Sequence, residues 1–288
     1  MRRIVVSGAS GFLGSYIIKE AVQRAIPTMA ITTRAAAFQD SSAEVVDTDD
    51  FLVGKIRFSK DDVFINCLFP TNADGIKMAN GLKTVYSTIT TAKESGIGSF
   101  INISSQSVYP SKREEPATED SPLSLETPYA VGKYSSEAFV NEVFKDKPHT
   151  NIRLASLIGI GYDQRIVNRM VINAINGERI TVVGGMQRYG FLDVRDAASG
   201  LVHISQSDLS IWKNTYNLGR LESYTLLETA ALITHKMREH GFDTGYDIKE
   251  GVDTRNSALD ASLFMQEFEW EPEISFEQTV EDIINNKL

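Results

Sequence analysis

The sequence predicts an α/β fold, a doubly wound parallel sheet covered on both faces by crossover helices. Three observations carry that expectation. Short apolar runs alternate with stretches of helical periodicity along most of the 288 residues, the pattern of repeated strand and helix units. The first run, Ile4-Val5-Val6-Ser7, leads directly into a glycine-rich turn and then a helical stretch that stops before Pro27. The composition, 42% hydrophobic and 23% charged, is that of a globular chain and not of a disordered or low-complexity one. At this length the chain forms one large domain or two lobes.

Taken in order, the candidate strands are Ile4 to Ser7, Met29 to Thr33, Glu44 to Asp47, Val63 to Leu68, Phe100 to Ser104, Asn151 to Leu157 and Thr215 to Leu218. Between them, Leu82, Val85, Tyr86, Ile89 and Ala92 recur at helical spacing up to Glu94, so this segment packs one face on the sheet as a crossover helix. Thr225-Leu226-Leu227-Glu228 has the capping-box order of a hydroxyl followed three residues later by a carboxylate, which starts a helix running to about Glu239. There is no internal repeat and no linker, so a second lobe would arise from excursions of the main sheet.

Charge and cysteine content exclude several function classes. Lys and Arg number 29 against 38 Asp and Glu, a net charge of −9 with no basic block. Nucleic acid is therefore not an expected partner, because phosphate binding needs a cationic face. The single cysteine, Cys67, lies in the apolar run Val63 to Phe69 and reads as a small buried hydrophobe. His149, His203, His235 and His240 are scattered without metal-ligand spacing, so no metal is expected. No apolar run reaches the ~18 residues of a membrane span, and the start leads into the glycine turn instead of a signal-peptide core. The expected location is cytoplasmic.

Gly8-Ala9-Ser10-Gly11-Phe12-Leu13-Gly14 joins the first strand to an amphipathic helix. Glycines at 8, 11 and 14 let the backbone approach a pyrophosphate and let the helix pack closely on the strand, while the helix N-terminus favours negative charge. A dinucleotide cofactor follows. After the second strand stands Arg34, where an NAD site commonly places an acid and an arginine suits the extra phosphate of NADP. The cofactor expected is therefore NADP, with NAD as the alternative.

The strongest chemical signal is Ser104-Ser105-Gln106-Ser107-Val108-Tyr109, followed at a distance by Pro128-Tyr129-Ala130-Val131-Gly132-Lys133. Tyr129 and Lys133 are four apart, so on a helix both project from one face, where the ammonium would lower the phenol pKa. Ser105 ends the fifth strand, at the carboxyl edge where open α/β sheets bind ligands, and its hydroxyl can hold a substrate oxygen beside the phenol.

With these residues the chain resembles the extended short-chain dehydrogenase/reductases that act on nucleotide sugars. The resemblance covers nearly the whole length. It runs through the glycine turn, Ser105 to Tyr109, Pro116 to Pro122, Tyr129, Lys133 and Glu137, then Arg153 to Gly159, Phe191 to Asp196, Tyr216 to Gly219 and Trp270-Glu271-Pro272. It implies a Rossmann-like domain, residues 1–161 completed by about 190–220, and a small discontinuous C-terminal substrate lobe from 162–189 and 221–288. In the roles it implies, Tyr129 is the acid/base, Lys133 binds the nicotinamide ribose and tunes Tyr129, and Ser105 orients the substrate oxygen. Phe12, Leu13 and Leu68 join the glycines at the cofactor, and Ser107, Ser156, Arg188 and Arg255 contact the substrate. A homodimer is the family expectation.

The departures narrow the chemistry. Dehydratases of this family carry an Asp-Glu pair directly after the catalytic hydroxyl, where this chain has Gln106 and Ser107; the branch resembling GDP-fucose synthase has a Cys at the position of Ser107. The landmark before Phe191 usually reads Arg-Asp, but here it is Arg188-Tyr189-Gly190, so that Arg188 would reach the substrate through a shifted loop. What remains is hydride transfer at a hydroxyl or keto carbon: NADPH reduction of a 4-keto sugar nucleotide, or 4-epimerisation with a retained NAD. A reductase of a non-sugar carbonyl and a dinucleotide sensor without turnover are the readings from other classes.

Overall fold

Seven strands form one parallel sheet, and they are the seven that the apolar runs predict. The computed structural model describes residues 1–70 and 74–288. Its elements are β1 (Ile4–Ser7), α1 (Phe12–Gln23), β2 (Thr28–Thr32), β3 (Glu44–Asp47), α2 (Thr48–Leu52), β4 (Val63–Asn66), α3 (Gly75–Glu94), β5 (Ser99–Ser105), α4 (Pro128–Val143) and β6 (His149–Leu154). There follow β7 (Ser156–Ile158), α5 (Ile166–Ile175), β8 (Ile180–Val183), β9 (Arg188–Tyr189), β10 (Phe191–Asp193), α6 (Val194–Gln206), β11 (Thr215–Leu218), β12 (Tyr224–Thr225), α7 (Leu226–Glu239), β13 (Tyr246–Lys249), α8 (Ser262–Phe268) and α9 (Phe276–Lys287). The sheet order is β3-β2-β1-β4-β5-β6-β11, with the order reversing between β1 and β4, where open α/β sheets bind ligands.

Alternation along the strands builds a core on each face. Ile4 and Val6 of β1, with Val63 and Ile65 of β4, pack under α1 and α6, while Val5 and Phe64 face the other way with Val85, Ile89 and Val140 of α3 and α4. Among these apolar layers runs a polar row at one register: Ser7, Asn66, Asn102 and Asn151 are neighbours across β1, β4, β5 and β6. Ser7 donates to Asn66 at 2.7 Å and Asn102 to Asn151 at 2.9 Å, so these buried side chains satisfy one another. The capping box at Thr225 and Glu228 forms as expected.

One strand expectation needs correction. The run Asn151 to Leu157 is not one strand: after Leu154 the chain leaves the sheet, Ser156 N–H donates to the Gly190 carbonyl at 3.0 Å, and β7 pairs with β10. Continuous apolar character hides this break, because both halves are covered. Towards the C-terminal end, α5, α7 and α9 share a hydrophobic core of their own, while Phe264, Phe268 and Trp270 pack with Tyr216 and Leu218 in the core of the main sheet. Gly200 of α6 leaves room for the Trp270 ring, which a Cβ there would approach to 3.2 Å. Among the described residues no helix is long and apolar enough to cross a membrane.

The face of α4 is anchored by a buried ion pair. Arg153 of β6 donates to both carboxylate oxygens of Glu137, at 3.0 and 2.8 Å, and to the Tyr109 hydroxyl at 3.0 Å. Ser104 also donates to Glu137, and Tyr109 donates to Asn217 of β11 at 2.8 Å. Both charged residues are at most 5% exposed, and leaving one of such a pair unpartnered costs about 3–5 kcal/mol. Glu137→Gln is accordingly expected to lower unfolding free energy by about 3 kcal/mol or more; urea unfolding that shows less than about 1 kcal/mol contradicts the role given to this pair.

Candidate active site

The switch point of the sheet holds a cavity of about 730 Å³. One wall is the glycine turn. Gly8 has φ +65°, a left-handed conformation that a side chain strains, and a Cβ on Gly14 would stand 2.4 Å from the Gly8 carbonyl oxygen. Gly11 precedes α1 without any side-chain cap, so the first N–H groups of the helix are left to a ligand beside Phe12, Leu13 and Gly14 in the cavity wall. This cradle fits the pyrophosphate of a dinucleotide. At its outer end Arg34 folds back on the turn: its Nε donates to Ser10 Oγ at 3.0 Å and its Nη2 to the Ser10 carbonyl. Thr32 donates to the same Ser10 hydroxyl at 2.7 Å.

The opposite wall carries the predicted Ser105, Tyr129 and Lys133, all lining the same cavity. Ser105 ends β5 and accepts from the Ser107 N–H at 3.2 Å, which fixes its hydroxyl at the strand edge. Thr127 caps α4, accepting from Ala130 N–H at 3.1 Å, and Pro128 opens the helix, so Tyr129 emerges in its first turn. Tyr129, Lys133 and Glu137 then follow one another along one face of α4.

The electrostatics differ from the sequence expectation. Lys133 is 5% exposed and donates to the Ile103 carbonyl at 2.7 Å, with its Nζ 5.8 Å from the centre of the Tyr129 ring. Burial brings its pKa down to about 7. The phenol of Tyr129 is in turn raised by burial; the Ser105 hydroxyl and the Arg165 charge pull it down, while Tyr162 adds to the rise. The lowering expected from Lys133 is not among the influences on this phenol; desolvation prevails, and the protonated phenol is the stable form in the free protein at neutral pH. Cys67 lines the cavity, but burial pushes its thiol up to about 12, so it is not a thiolate nucleophile.

The other predicted residues divide. Ser107 and Ser156 line the cavity, and the buried Ser107 Oγ has no hydrogen-bond partner among the described residues. Leu68 does not line it; its backbone N lies against Gly8, 2.9 Å from where a Cβ would be. Arg188 and Arg255 line neither this cavity nor the next. They are joined by their backbones at 2.8 Å, and each side chain is turned elsewhere: Arg255 onto Asp253, Arg188 toward Ser223. A second cavity of about 630 Å³ shares Ser156, Leu157 and Arg165 with the first and holds Arg169, Tyr189 and Phe191. Arg165 and Arg169 have no acidic partner among the described residues. Sequence reading missed them, although their spacing of four at the start of a helical stretch was there to find.

Over residues 4–219 the chain matches the model of the NAD dependent epimerase/dehydratase family. It belongs to that family. The resemblance read from the ordered motifs is borne out, and the epimerase/dehydratase family is one of enzymes. Among its relatives, the low-salt glycan biosynthesis protein Agl12 of Haloferax volcanii is 25% identical over 319 residues, covering 99% of this chain and 98% of that protein. The dTDP-4-dehydro-6-deoxyglucose reductase of Escherichia coli is 20% identical, covering 98% and 96%. UDP-glucuronic acid 4-epimerase of Bacillus cereus, solved with NAD and a fluorinated UDP-sugar, superposes with a TM-score of 0.85 at 18% identity over 99% of this chain and 100% of that one. That likeness is one of fold.

The depressed Lys133 has a consequence for stability. Its folded pKa of about 7 lies below the ~10.4 of an unfolded lysine, so between those values the unfolded chain binds more protons and stability rises with pH. Lys133→Met lacks that contribution. Urea unfolding of the cofactor-free protein should therefore show wild-type stability gaining on Lys133→Met as pH goes from about 6 to about 9; a constant difference contradicts the desolvation of Lys133.

Proposed function

We propose that this chain is an NADPH-dependent oxidoreductase that reduces a keto sugar nucleotide, a 4-keto sugar in particular, to the alcohol. One observation carries the reading. Among the described residues lining the main cavity there is no carboxylate and no imidazole, and Tyr129 is the acid placed beside the Ser105 hydroxyl. Gln106, which stands where elimination would need a carboxylate, accepts from Arg113 at 3.1 Å, and neither it nor Ser107 titrates near neutral pH.

A substrate carbonyl oxygen placed between Ser105 and Tyr129 accepts hydrogen bonds from both hydroxyls. The nicotinamide cofactor, held by the glycine turn, Arg34 and Lys133, supplies the hydride to the carbonyl carbon when bound. Tyr129 gives its proton to the oxygen, and the phenolate left behind is stabilised by Lys133 and reprotonated from solvent. The carbonyl gains one hydride and one proton, so the product is the alcohol and no water leaves. Arg165 and Arg169, exposed in the adjoining cavity and without an acidic partner among the described residues, suit the diphosphate of the substrate, and the stacked rings of Tyr189 and Phe191 offer an apolar surface to its base. The full-length similarity to a dTDP-4-dehydro-6-deoxyglucose reductase supports this reading.

Arg34 makes NADPH the preferred cofactor, since its guanidinium sits at the outer end of the turn and a charge-assisted pair with phosphate is roughly twice as strong as a neutral hydrogen bond. Arg34→Asp should weaken NADPH far more than NADH in fluorescence titrations; equal losses overturn the preference.

The reaction is tested with NADPH and a 4-keto-6-deoxy sugar nucleotide beside a plain UDP- or dTDP-hexose. Expected is NADPH consumption with the first alone, falling by about a hundredfold or more in Tyr129→Phe. Interconversion of two hexose nucleotides without net cofactor change would establish a 4-epimerase with retained NAD instead. Formation of a 4-keto-6-deoxy product from the plain hexose would show that another group supplies the missing acid and base.

A further inference from the structure

Phe69 follows β4 and lines the main cavity between the two residues on which the proposed chemistry depends. The Lys133 Nζ lies 3.8 Å from the centre of its ring, closer than the 5.8 Å to that of Tyr129. The Phe69 and Tyr129 rings stand edge to face, with centroids 5.6 Å apart and planes at 86°. The ring is also seated from behind. A Cβ on Gly132, within the helix that carries Tyr129 and Lys133, would come 3.1 Å from Phe69 Cζ and 2.5 Å from Met78 Sδ, and one on Gly81 would come 2.4 Å from Pro70 Cγ. Glycine within a helix is destabilising relative to alanine, yet α3 and α4 each carry one where the Phe69-Pro70 segment passes.

We propose that Phe69 is a positioning residue of this site, its ring face carrying the Lys133 ammonium and its contact with Tyr129 keeping ammonium and phenol on one wall of the cavity. The inference rests on the reading of Tyr129 and Lys133 as the acid–base pair. A buried ammonium has lost water, and the negative face of an aromatic ring replaces part of that hydration. The other groups around Lys133 leave the ring this role. The Ile103 carbonyl of β5 takes one hydrogen bond. The Cys67 thiol from the end of β4 is neutral. Glu137, one turn further along α4, is neutralised by Arg153 of β6, and Tyr129 is protonated. No unpaired anion faces the ammonium among the described residues.

The titration of Lys133 reads the contact directly, without substrate or cofactor. In protein labelled with ¹³Cε-lysine, the Lys133 resonance is assigned by its loss in Lys133→Met and followed against pH. Phe69→Leu keeps apolar bulk and removes the ring; the Lys133 midpoint is expected to fall by about 0.5–1 pH unit, the size of a partly desolvated cation–π contact. Phe69→Tyr should restore it. Should Phe69→Leu fail to fold, pentafluorophenylalanine at position 69, of similar shape with an inverted ring quadrupole, should give the same downward shift. An unchanged or raised midpoint in a folded variant overturns the proposal. Turnover with NADPH and a 4-keto-6-deoxy sugar nucleotide separates this inference from the reading beneath it. Loss of turnover in Tyr129→Phe, together with a lowered alkaline limb of kcat/KM in Phe69→Leu, supports both. Turnover that survives Tyr129→Phe breaks the acid–base reading, while an unmoved limb with Tyr129→Phe inactive breaks the role of Phe69 alone.

Discussion

The active face of α4 depends on one buried pair of charges, Glu137 and Arg153. Tyr129, Lys133 and Glu137 follow one another along the helix at spacings of four, so whatever fixes Glu137 fixes the other two in register with β5. Arg153 binds both carboxylate oxygens, and Ser104 and Tyr109 add partners from β5 and the segment after it. Such a pair gains little over an apolar core of the same shape, because desolvating two charges offsets most of their attraction. What it adds here is direction: one sliding register of α4 leaves a buried charge without its partner. Through Tyr109 and Asn217 the same network reaches β11, and Glu119 closes it by accepting the Asn217 N–H at 2.7 Å.

Burial and the absence of acidic side chains from the described cavity lining then bear on the proposed chemistry. A cavity with no carboxylate among its described lining residues offers little to elimination, and burial moves both ionisable residues of the pair toward neutrality, the phenol upward and the ammonium downward. A site in that condition is prepared to give a proton to an oxygen that is acquiring negative charge. Two exposed cations without an acidic partner among the described residues, Arg165 and Arg169, line the second cavity, where the diphosphate of the proposed substrate would lie.

The centre of the sheet was legible because β1, β2 and β4 are buried on both faces, which writes each as an apolar run; the edge strand β3 is mostly exposed. The glycine turn, Ser105, Tyr129 and Lys133 were legible because local geometry demands them at fixed spacing. What the sequence hid follows from tertiary packing. The break after Leu154 turns on pairing between β7 and β10, whose partner strand lies more than thirty residues away. Arg188 and Arg255 were expected at the substrate, yet their side chains turn toward Ser223 and Asp253, local partners that no landmark pattern weighs. Phe69 reads as one more apolar residue at a strand end; only Gly132, whose Cβ would meet its ring, and Gly81, whose Cβ would meet the adjoining Pro70, show that the segment's place is reserved.

In the proposed reaction this site moves one hydride and one proton at one carbon. Deuterium labelling tests it most directly: NADPH deuterated at the transferable position of the nicotinamide is incubated with a 4-keto-6-deoxy sugar nucleotide, and the product is read by mass spectrometry and NMR. Expected are a single deuterium at the former carbonyl carbon and, in a parallel reaction with unlabelled NADPH in D₂O, no deuterium on any carbon of the sugar. Solvent deuterium at a neighbouring carbon, or an alcohol product free of the cofactor's deuterium, would contradict it.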